Sequence, residues 1–234
     1  MPAFRHDGVD LYYELRGTGK PLLLIAGLAA DQAFWLGALD ALAAQRQVIL
    51  LDNRGAGRTT PSDATTGIDA MAGDCAALLA HLDLGRADIA GHSMGGMIAA
   101  EMAALAPNDF SRLALIASAG LWLDKHPIPD LFSMLPFEMP PYLFHNVEAG
   151  TALMTAGVAL NDPEWLKGFL VTNARQMGMA GKILFPIPER GLSERLYRIK
   201  AKTHLIWGAS DKLIPPVYGE AFKQAIKGAQ LTLI

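Results

Sequence analysis

The stretch DIAGHSMGGM (88–97) places a serine between glycines where one kind of hydrophobic periodicity gives way to another. Before it lies a short apolar run typical of a buried strand, and after it apolar residues recur at helical spacing as far as Leu105. The five residues GHSMG (91–95) fit the pattern G-x-S-x-G. The stretch therefore predicts a sharp turn from a strand into a helix, with Ser93 at the turn.

The glycines of this pattern have a steric explanation. Such a turn, the nucleophile elbow, holds its serine in a strained backbone conformation, and side chains two residues before and two after it would collide. Gly91 and Gly95 occupy those positions, and Gly96 lets the helix approach the sheet. The geometry raises the serine oxygen above the strand end and directs the helix amino terminus at a developing oxyanion. Ser93 is predicted to be a nucleophile; the alternative is a serine that only caps the helix.

The adjacent His92 is not predicted to be the base for Ser93. Neighbouring side chains on so sharp a turn point in different directions, whereas a general base must reach the serine oxygen within hydrogen-bond distance. We expect His92 to pack or to hydrogen-bond beneath the turn.

The remainder of the chain alternates between strand-like and helix-like segments. Nearly continuous apolar runs are typical of parallel strands covered on both faces. The runs are PLLLIAGL (21–28), QVILLDN (47–53), ADIAGHS (87–93), RLALIAS (112–118), THLIWG (203–208) and QLTLI (230–234), with helix-period segments at 31–44, 68–82, 94–105 and 216–226. Near the amino end, Asp7-Gly8 predicts the turn of an antiparallel hairpin. The pattern predicts an α/β protein with a mostly parallel, doubly wound sheet.

The alternation stops between residues 121 and 198, a segment rich in Pro, Met and aromatic residues. It contains no run resembling a core strand, and we expect a mostly helical cap over one edge of the sheet. Its methionines suggest an adaptable pocket wall, with ordinary helix packing as the alternative. The predicted organisation is a first core part at 1–120, the cap at 121–198 and a second core part at 199–234.

Composition favours a small molecule as the partner. The net charge is −3 and 18% of the residues are charged, which gives no footprint for nucleic acid or an anionic membrane. No apolar run reaches the roughly 18–20 residues of a membrane span, and no leader is recognisable, so we expect a cytoplasmic protein. The single cysteine, Cys75, is expected to be a buried hydrophobe rather than a reactive thiol. Acidic residues and histidines show no metal-ligand spacing, and no metal is predicted.

Four segments together resemble the α/β-hydrolase superfamily, especially small bacterial esterases, enol-lactonases and cofactor-free haloperoxidase-like members. They are LLLIAGLAADQAFW, VILLDNRGAGRT, GHSMGG and LIWGASDKLIPP, and they occur in the family's order. The resemblance extends from about residue 10 to the last residue. It implies the α/β-hydrolase fold and a serine hydrolase that forms an acyl-enzyme on Ser93 without a cofactor.

The resemblance also assigns further site residues. The family's acid commonly lies in a W-G-x-x-D pattern, which WGASD (207–211) fits, so Asp211 would orient the base; a turn or helix-capping aspartate is the alternative. The family's first loop often reads His-Gly-x, where x donates an oxyanion-hole N–H. This chain has AGL (26–28), so Leu28 and Met94 would form the hole through their N–H groups, without the histidine that usually anchors the loop. The turn DNRGAGR (52–58) resembles a bracing D-x-R-G-x-G turn, and Arg54 is expected to be structural.

The base is the missing part of this picture. The family order implies a histidine in the loop after the last strand, and the given sequence stops at the predicted end of that strand. His6, His81 and His204 are expected to lie away from the site, whereas His126 and His145 in the cap could in principle reach it. Either the given sequence stops before the histidine loop and a final helix, which we favour, or the chain is a degenerate hydrolase.

Three functions fit this set of residues. The leading one is hydrolysis of a small, largely apolar ester, lactone or related carbonyl compound. Carbon–carbon bond hydrolysis or perhydrolysis would use the same residues. The third is a non-catalytic homologue that binds a ligand and has lost turnover.

Overall fold

The computed structural model describes residues 3–59, 67–155, 162–187 and 190–234. Within them, eight strands form one sheet in the order β1-β2-β4-β3-β5-β6-β7-β8. The strands are β1 (Ala3–His6), β2 (Val9–Arg16), β3 (Lys20–Ile25), β4 (Arg46–Leu51), β5 (Ala87–His92), β6 (Phe110–Ile116), β7 (Lys202–Trp207) and β8 (Gln230–Leu233). The β1–β2 and β2–β4 pairs are antiparallel and the other pairs are parallel, which confirms the predicted fold class and its amino-terminal hairpin.

The described residues also form seven α-helices. They are α1 (Leu36–Ala43), α2 (Ile68–His81), α3 (Met94–Leu105), α4 (Pro140–Leu143), α5 (Val147–Met154), α6 (Pro163–Leu184) and α7 (Pro216–Ala225). The bounds of α3 are the predicted ones, 94–105. The segment predicted as a helix at 31–44 instead begins with a 3-10 turn, Gln32–Trp35, and the Asp31 carboxylate caps this turn by accepting a hydrogen bond from the Ala33 N–H.

The two faces of the sheet explain the continuous apolar runs. Leu23 and Ile25 of β3 belong to a large core cluster that contains side chains of α2 and α3. Leu24, between them, points to the other face and belongs to a second cluster with Trp35 and Leu39. Burying each side chain of this size stabilises the fold by roughly 1.5–3 kcal/mol. A strand covered on both faces is therefore apolar at successive positions and does not alternate with polar residues.

The register brings several loops to one edge of the sheet. Ile25 at the end of β3 lies opposite Leu51 of β4 and Gly91 of β5. The chain order reverses at β3, which lies between β4 and β5, and ligand sites of α/β sheets form outside the carboxyl ends of the strands at such a point. The loops that follow β3, β4, β5 and β7 therefore begin at one edge.

Residues 121–198 contain α4, α5 and α6 and several 3-10 turns, with no strand in the parts that the structure describes. Their assignment as a separate cap remains a prediction. In the described residues no helix is both long and apolar enough to cross a membrane.

Candidate active site

Ser93 lies between the end of β5 and the start of α3 with φ 53° and ψ −120°. An L-residue at positive φ is strained and persists only where surrounding contacts hold it. The Ser93 N–H donates to the Ile116 carbonyl at 3.0 Å, and the Ser93 carbonyl accepts from Gly96 N at 2.9 Å and Ala119 N at 3.0 Å. The serine side chain makes no capping hydrogen bond to the helix, unlike the alternative expected for a capping serine.

Close contacts explain why the elbow needs its glycines. A Cβ atom on Gly91 would lie 2.1 Å from the Gly95 carbonyl oxygen, and one on Gly95 would lie 2.1 Å from the Ile25 oxygen and 2.6 Å from the Ala26 oxygen. These neighbours are backbone atoms of the central strands and of the helix start, so they cannot move aside cheaply. The two positions that the sequence predicted to need glycine, 91 and 95, are therefore positions where a side chain would collide with the backbone.

The two predicted oxyanion donors belong to the two segments that meet at the serine, the start of α3 and the loop after β3. Met94 is the first residue of α3, and Leu28 belongs to the loop that follows β3. A Cβ on Gly27 would lie 3.2 Å from the Ser93 Cβ, so this loop passes directly against the serine. Within the described residues, neither the Leu28 N–H nor the Met94 N–H donates a hydrogen bond. Both donors are therefore available, and their role in an oxyanion hole remains a prediction.

The turn that follows β4 braces the loop after β3. The buried Asn53 amide donates to the Ala26 carbonyl at 3.2 Å. The Asp52 carboxylate accepts from the N–H of Gln32 at 3.0 Å and from its side-chain amide at 3.1 Å. The sequence suggested bracing by this turn in general terms but did not identify Asn53.

Arg54 of the same turn is buried in a charge network. Its Nη2 lies 2.7 Å from the Asp74 carboxylate and 3.3 Å from that of Asp7, and His6 Nδ1 lies 2.7 Å from Asp74. The hydrogen bond to Asp74 is the main reason why the pKa of Arg54 is raised. Asp74 was missed from the sequence, because an acid on the apolar face of α2 has no signal until its partner is known. The contacts fit the predicted structural role of Arg54.

Asp211 follows β7 in a short turn at the same edge of the sheet. Its Oδ1 accepts hydrogen bonds from Leu213 N at 2.9 Å and Ile214 N at 2.8 Å, and Trp207 Nε1 donates to the Ile214 carbonyl at 2.7 Å. Partial burial raises the pKa of Asp211, while these two backbone hydrogen bonds oppose the shift. Oδ2 has no hydrogen-bond partner among the described residues. The contacts fit both a turn aspartate and an acid with one oxygen left for a base.

His92 packs against Phe34, with ring centroids 4.5 Å apart and planes 21° from parallel. Burial lowers its pKa to about 4, and in the described part of the chain its Nδ1 is buried without a hydrogen-bond partner. His92 therefore packs against the turn after β3, and its position beneath the elbow remains a prediction.

No histidine of the sequence hydrogen-bonds Ser93 Oγ in the structure, in which all six are described. His6 contacts Asp74, and His204 lies 2.8 Å from Thr232 Oγ1 near the entry of β7. His81 ends α2 and stacks on Phe4. His126 and His145 are exposed in the segment 121–198.

Replacing His92 by phenylalanine, which can keep the stacking, is expected to make the free energy of unfolding less dependent on pH below 6.5. In the wild type, the unfolded imidazole titrates near 6.5 and the folded one near 4, so stability is full above pH 6.5 and falls as the pH drops toward 4. The fall amounts to about 2–3 kcal/mol. Urea unfolding at pH 7 and pH 4.5 measures it, with His145→Gln as the control. An unchanged pH slope in His92→Phe would contradict this account.

A cavity of about 180 Å³ lies beside the elbow. The loops contribute Gly27 and Asn53, and Met94 contributes from the helix start; α6 covers the cavity with side chains that include Met179 and Ile183. Among the described residues, no group of three or more His, Cys, Asp or Glu side chains could hold a metal ion. A larger cavity of about 400 Å³ lies at the amino ends of the strands, where Asp88 and Lys202 line it. That is the edge opposite Ser93, so the smaller cavity is the candidate substrate site.

The mostly parallel sheet and the strained serine at its carboxyl edge are the features that the α/β-hydrolase fold combines. Residues 20–234 match the model of the alpha/beta hydrolase fold family, and the chain belongs to this family.

Two kinds of comparison agree with this assignment. The RutD protein of Azorhizobium caulinodans, which is named as a carbamate hydrolase, is 40% identical over 116 residues, or 50% of this chain and 44% of that protein. The chain thus matches less than half the length of this relative. Among solved structures, a hydrolase from Pseudomonas aeruginosa has a TM-score of 0.73 at 23% identity, and an enol-lactonase from Burkholderia xenovorans has 0.73 at 21%. Both alignments cover 100% of this chain, and 89% and 91% of the respective structures. These two likenesses show the fold.

Proposed function

We propose that this protein is a serine hydrolase of small, largely apolar esters, lactones or related carbonyl compounds, and that it forms an acyl-enzyme on Ser93. The backbone of Ser93 carries the proposal: φ is 53°, and the side chain caps no helix amide. Strain of this kind needs a reason, and a nucleophile raised above the strand end supplies one.

In this mechanism Ser93 Oγ attacks the carbonyl carbon while a histidine takes its proton. The carbonyl oxygen becomes an oxyanion that accepts hydrogen bonds from Leu28 N and Met94 N. The histidine passes the proton to the leaving group, and water then releases the acyl group by the same steps. Asp211 holds the histidine in the correct tautomer and stabilises its charged form.

We propose that the histidine belongs to residues that follow Ile234 in a longer protein. The Ile234 N–H donates to the Trp207 carbonyl at 2.9 Å, and the Ile234 carbonyl accepts from Ala209 N at 2.8 Å. A residue that follows Ile234 would therefore enter beside the turn that carries Asp211. This position supports a base supplied from that side.

The size of the cavity supports a small substrate. Its volume of about 180 Å³ lies below the roughly 300–1,000 Å³ typical of sites for drug-sized ligands. Its wall is mixed, with the apolar side chains of Met179 and Ile183 and the polar side chain of Gln176, so the preference for an apolar substituent is carried over from the sequence resemblance. The name of the RutD relative adds carbamates to the carbonyl compounds worth assaying.

Labelling with a fluorophosphonate tests the proposal. The reagent should modify Ser93 in the chain 1–234 or in a form extended by the residues that the gene encodes after Ile234, and peptide mass spectrometry should locate it. Ser93→Ala should abolish labelling, and Ser133→Ala, at an exposed serine, should not. If neither form of the protein is labelled at Ser93, the proposal is wrong.

One observation keeps the non-catalytic alternative testable: in the described residues no histidine hydrogen-bonds Ser93. Saturable binding of a small ester without product formation, in the extended form as well, would favour a binding protein. Carbon–carbon bond hydrolysis and perhydrolysis use the same residues, and product analysis with a dienoic ring-fission compound or with peroxide separates them from ester hydrolysis.

A further inference from the structure

The loop after β3 is held in place although it lacks the anchoring histidine of its family. We propose that Asn53 is a positioning residue of the oxyanion hole: its side-chain amide holds the Ala26 carbonyl and thereby orients the Leu28 N–H toward the reacting carbonyl. The role of Leu28 in this inference rests on the proposed function.

The Ala26 carbonyl oxygen is buried between the Asn53 side chain and the start of α3. Asn53 Nδ2 donates to the Ala26 oxygen at 3.2 Å, and the two residues are only 3% and 1% exposed. The same oxygen lies 2.6 Å from where a Cβ on Gly95 would be, so it rests on the start of the nucleophile helix. The Ala26 carbonyl is therefore enclosed between the elbow and Asn53, whose amide is its hydrogen-bond partner.

Two consecutive peptide planes connect this contact to the Leu28 N–H. The Ala26 carbonyl belongs to the plane before Gly27, and the Gly27 carbonyl and the Leu28 N–H share the next plane. Ala30 N donates to the Gly27 carbonyl at 3.3 Å, which aligns the second plane. Because Gly27 separates the planes and glycine rotates freely, the first plane must be held independently if the second is to stay aligned. Asn53 holds the first plane.

Asn53 is itself fixed by its turn. The Asn53 carbonyl accepts from Ala56 N at 2.9 Å. The preceding residue, Asp52, accepts from Gln32 N at 3.0 Å and so holds the far end of the same loop. Two successive residues of one turn thus hold both ends of the segment 26–32, which explains how the loop keeps its shape with an alanine at position 26.

The test compares Asn53→Ala and Asn53→Asp with Asn108→Ala, a matched control at an exposed asparagine. We expect both Asn53 variants to lower the rate of Ser93 labelling and kcat by about 10–100-fold with little change in KM. The Leu28 N–H would be misaligned, and its hydrogen bond to the oxyanion forms only in the transition state. Asn53→Asp keeps the shape of the side chain but replaces its N–H donors with oxygen and adds a buried charge, so the effect that it shares with Asn53→Ala is the one that identifies the hydrogen bond. Thermal unfolding establishes that the variants are folded.

Hydrogen exchange measured by mass spectrometry on residues 27–32 gives a second readout that does not depend on activity. Asn53→Ala should speed exchange in that segment and leave residues 88–97 unchanged. Unchanged labelling in folded Asn53 variants would overturn the inference, and so would unchanged exchange. If the wild type is never labelled at Ser93, the proposed function is wrong, and exchange alone then decides whether Asn53 holds the loop.

Discussion

Replacing Gly95 by alanine is expected to lower the free energy of unfolding by about 4 kcal/mol or more, one of the largest effects available in this molecule. The added Cβ would lie 2.1 Å from the Ile25 oxygen and 2.6 Å from the Ala26 oxygen. Relief would require α3 to move away from β3 and β5, which are the centre of the sheet. Urea unfolding monitored by tryptophan fluorescence measures the loss, and a poor yield of folded protein is the qualitative sign.

The matched control is the same substitution at Gly37 in α1, where an added Cβ would meet nothing within 4 Å. A glycine in a helix interior costs about 1 kcal/mol relative to alanine, so Gly37→Ala should be neutral or stabilising. If Gly95→Ala proves as stable as the wild type, the close approach of helix and strand at the elbow is not as described.

The contrast between these glycines shows what the sequence could predict. Gly95 lies at a fixed distance from Ser93 in a local motif, and the switch from strand to helix periodicity surrounds it, so both the turn and the bounds of α3 were predictable. Motifs and periodicity are properties of neighbouring residues. They predicted the hairpin, the six parallel-type strands and the placement of Ser93 and Asp211 after two of those strands, β5 and β7.

The contacts that hold the site were not predictable in the same way. Asn53 and Ala26 are 27 positions apart, and Arg54 and Asp74 are 20 apart. The first pair forms because β3 and β4 are neighbours in the sheet, and the second because α2 belongs to the core cluster on one face of that sheet; no local pattern encodes either arrangement. Burial of Asp74 is favourable only with Arg54 beside it, since an isolated buried carboxylate would be costly.

Replacing Asp211 by asparagine is expected to separate activity from stability. In the protein that carries the base histidine, kcat should fall by about 10³–10⁴-fold, because an amide no longer holds the histidine in the correct tautomer or stabilises its positive charge. Oδ1 of the asparagine can still accept from Leu213 N and Ile214 N, so the turn should persist. Steady-state kinetics and the rate of fluorophosphonate labelling measure the loss.

In the chain 1–234, where no histidine contacts Asp211, the same substitution should raise stability although it lowers activity in the longer protein. Burial raises the folded pKa of Asp211 above its ordinary 3.8, so the folded chain retains a proton that the unfolded chain releases as the pH rises above 3.8. The free energy of unfolding of the wild type therefore falls as the pH rises from 3.8 to the higher pKa of the folded state, and it stays lowered at neutral pH. Asparagine does not titrate, so the variant has no such loss. Asp211→Asn should be the more stable protein at pH 7, and its advantage should vanish below pH 3.8.

The control for the loss of activity is Asp40→Asn, at an exposed side chain on α1 away from the turn, which should leave activity unchanged. Full activity in Asp211→Asn would assign this residue to the turn alone and require another acid. A stabilised but inactive variant would identify Asp211 as a group kept for chemistry at a cost in stability. Its Oδ2 has no hydrogen-bond partner among the described residues, and burying such an oxygen is favourable only when a base binds it.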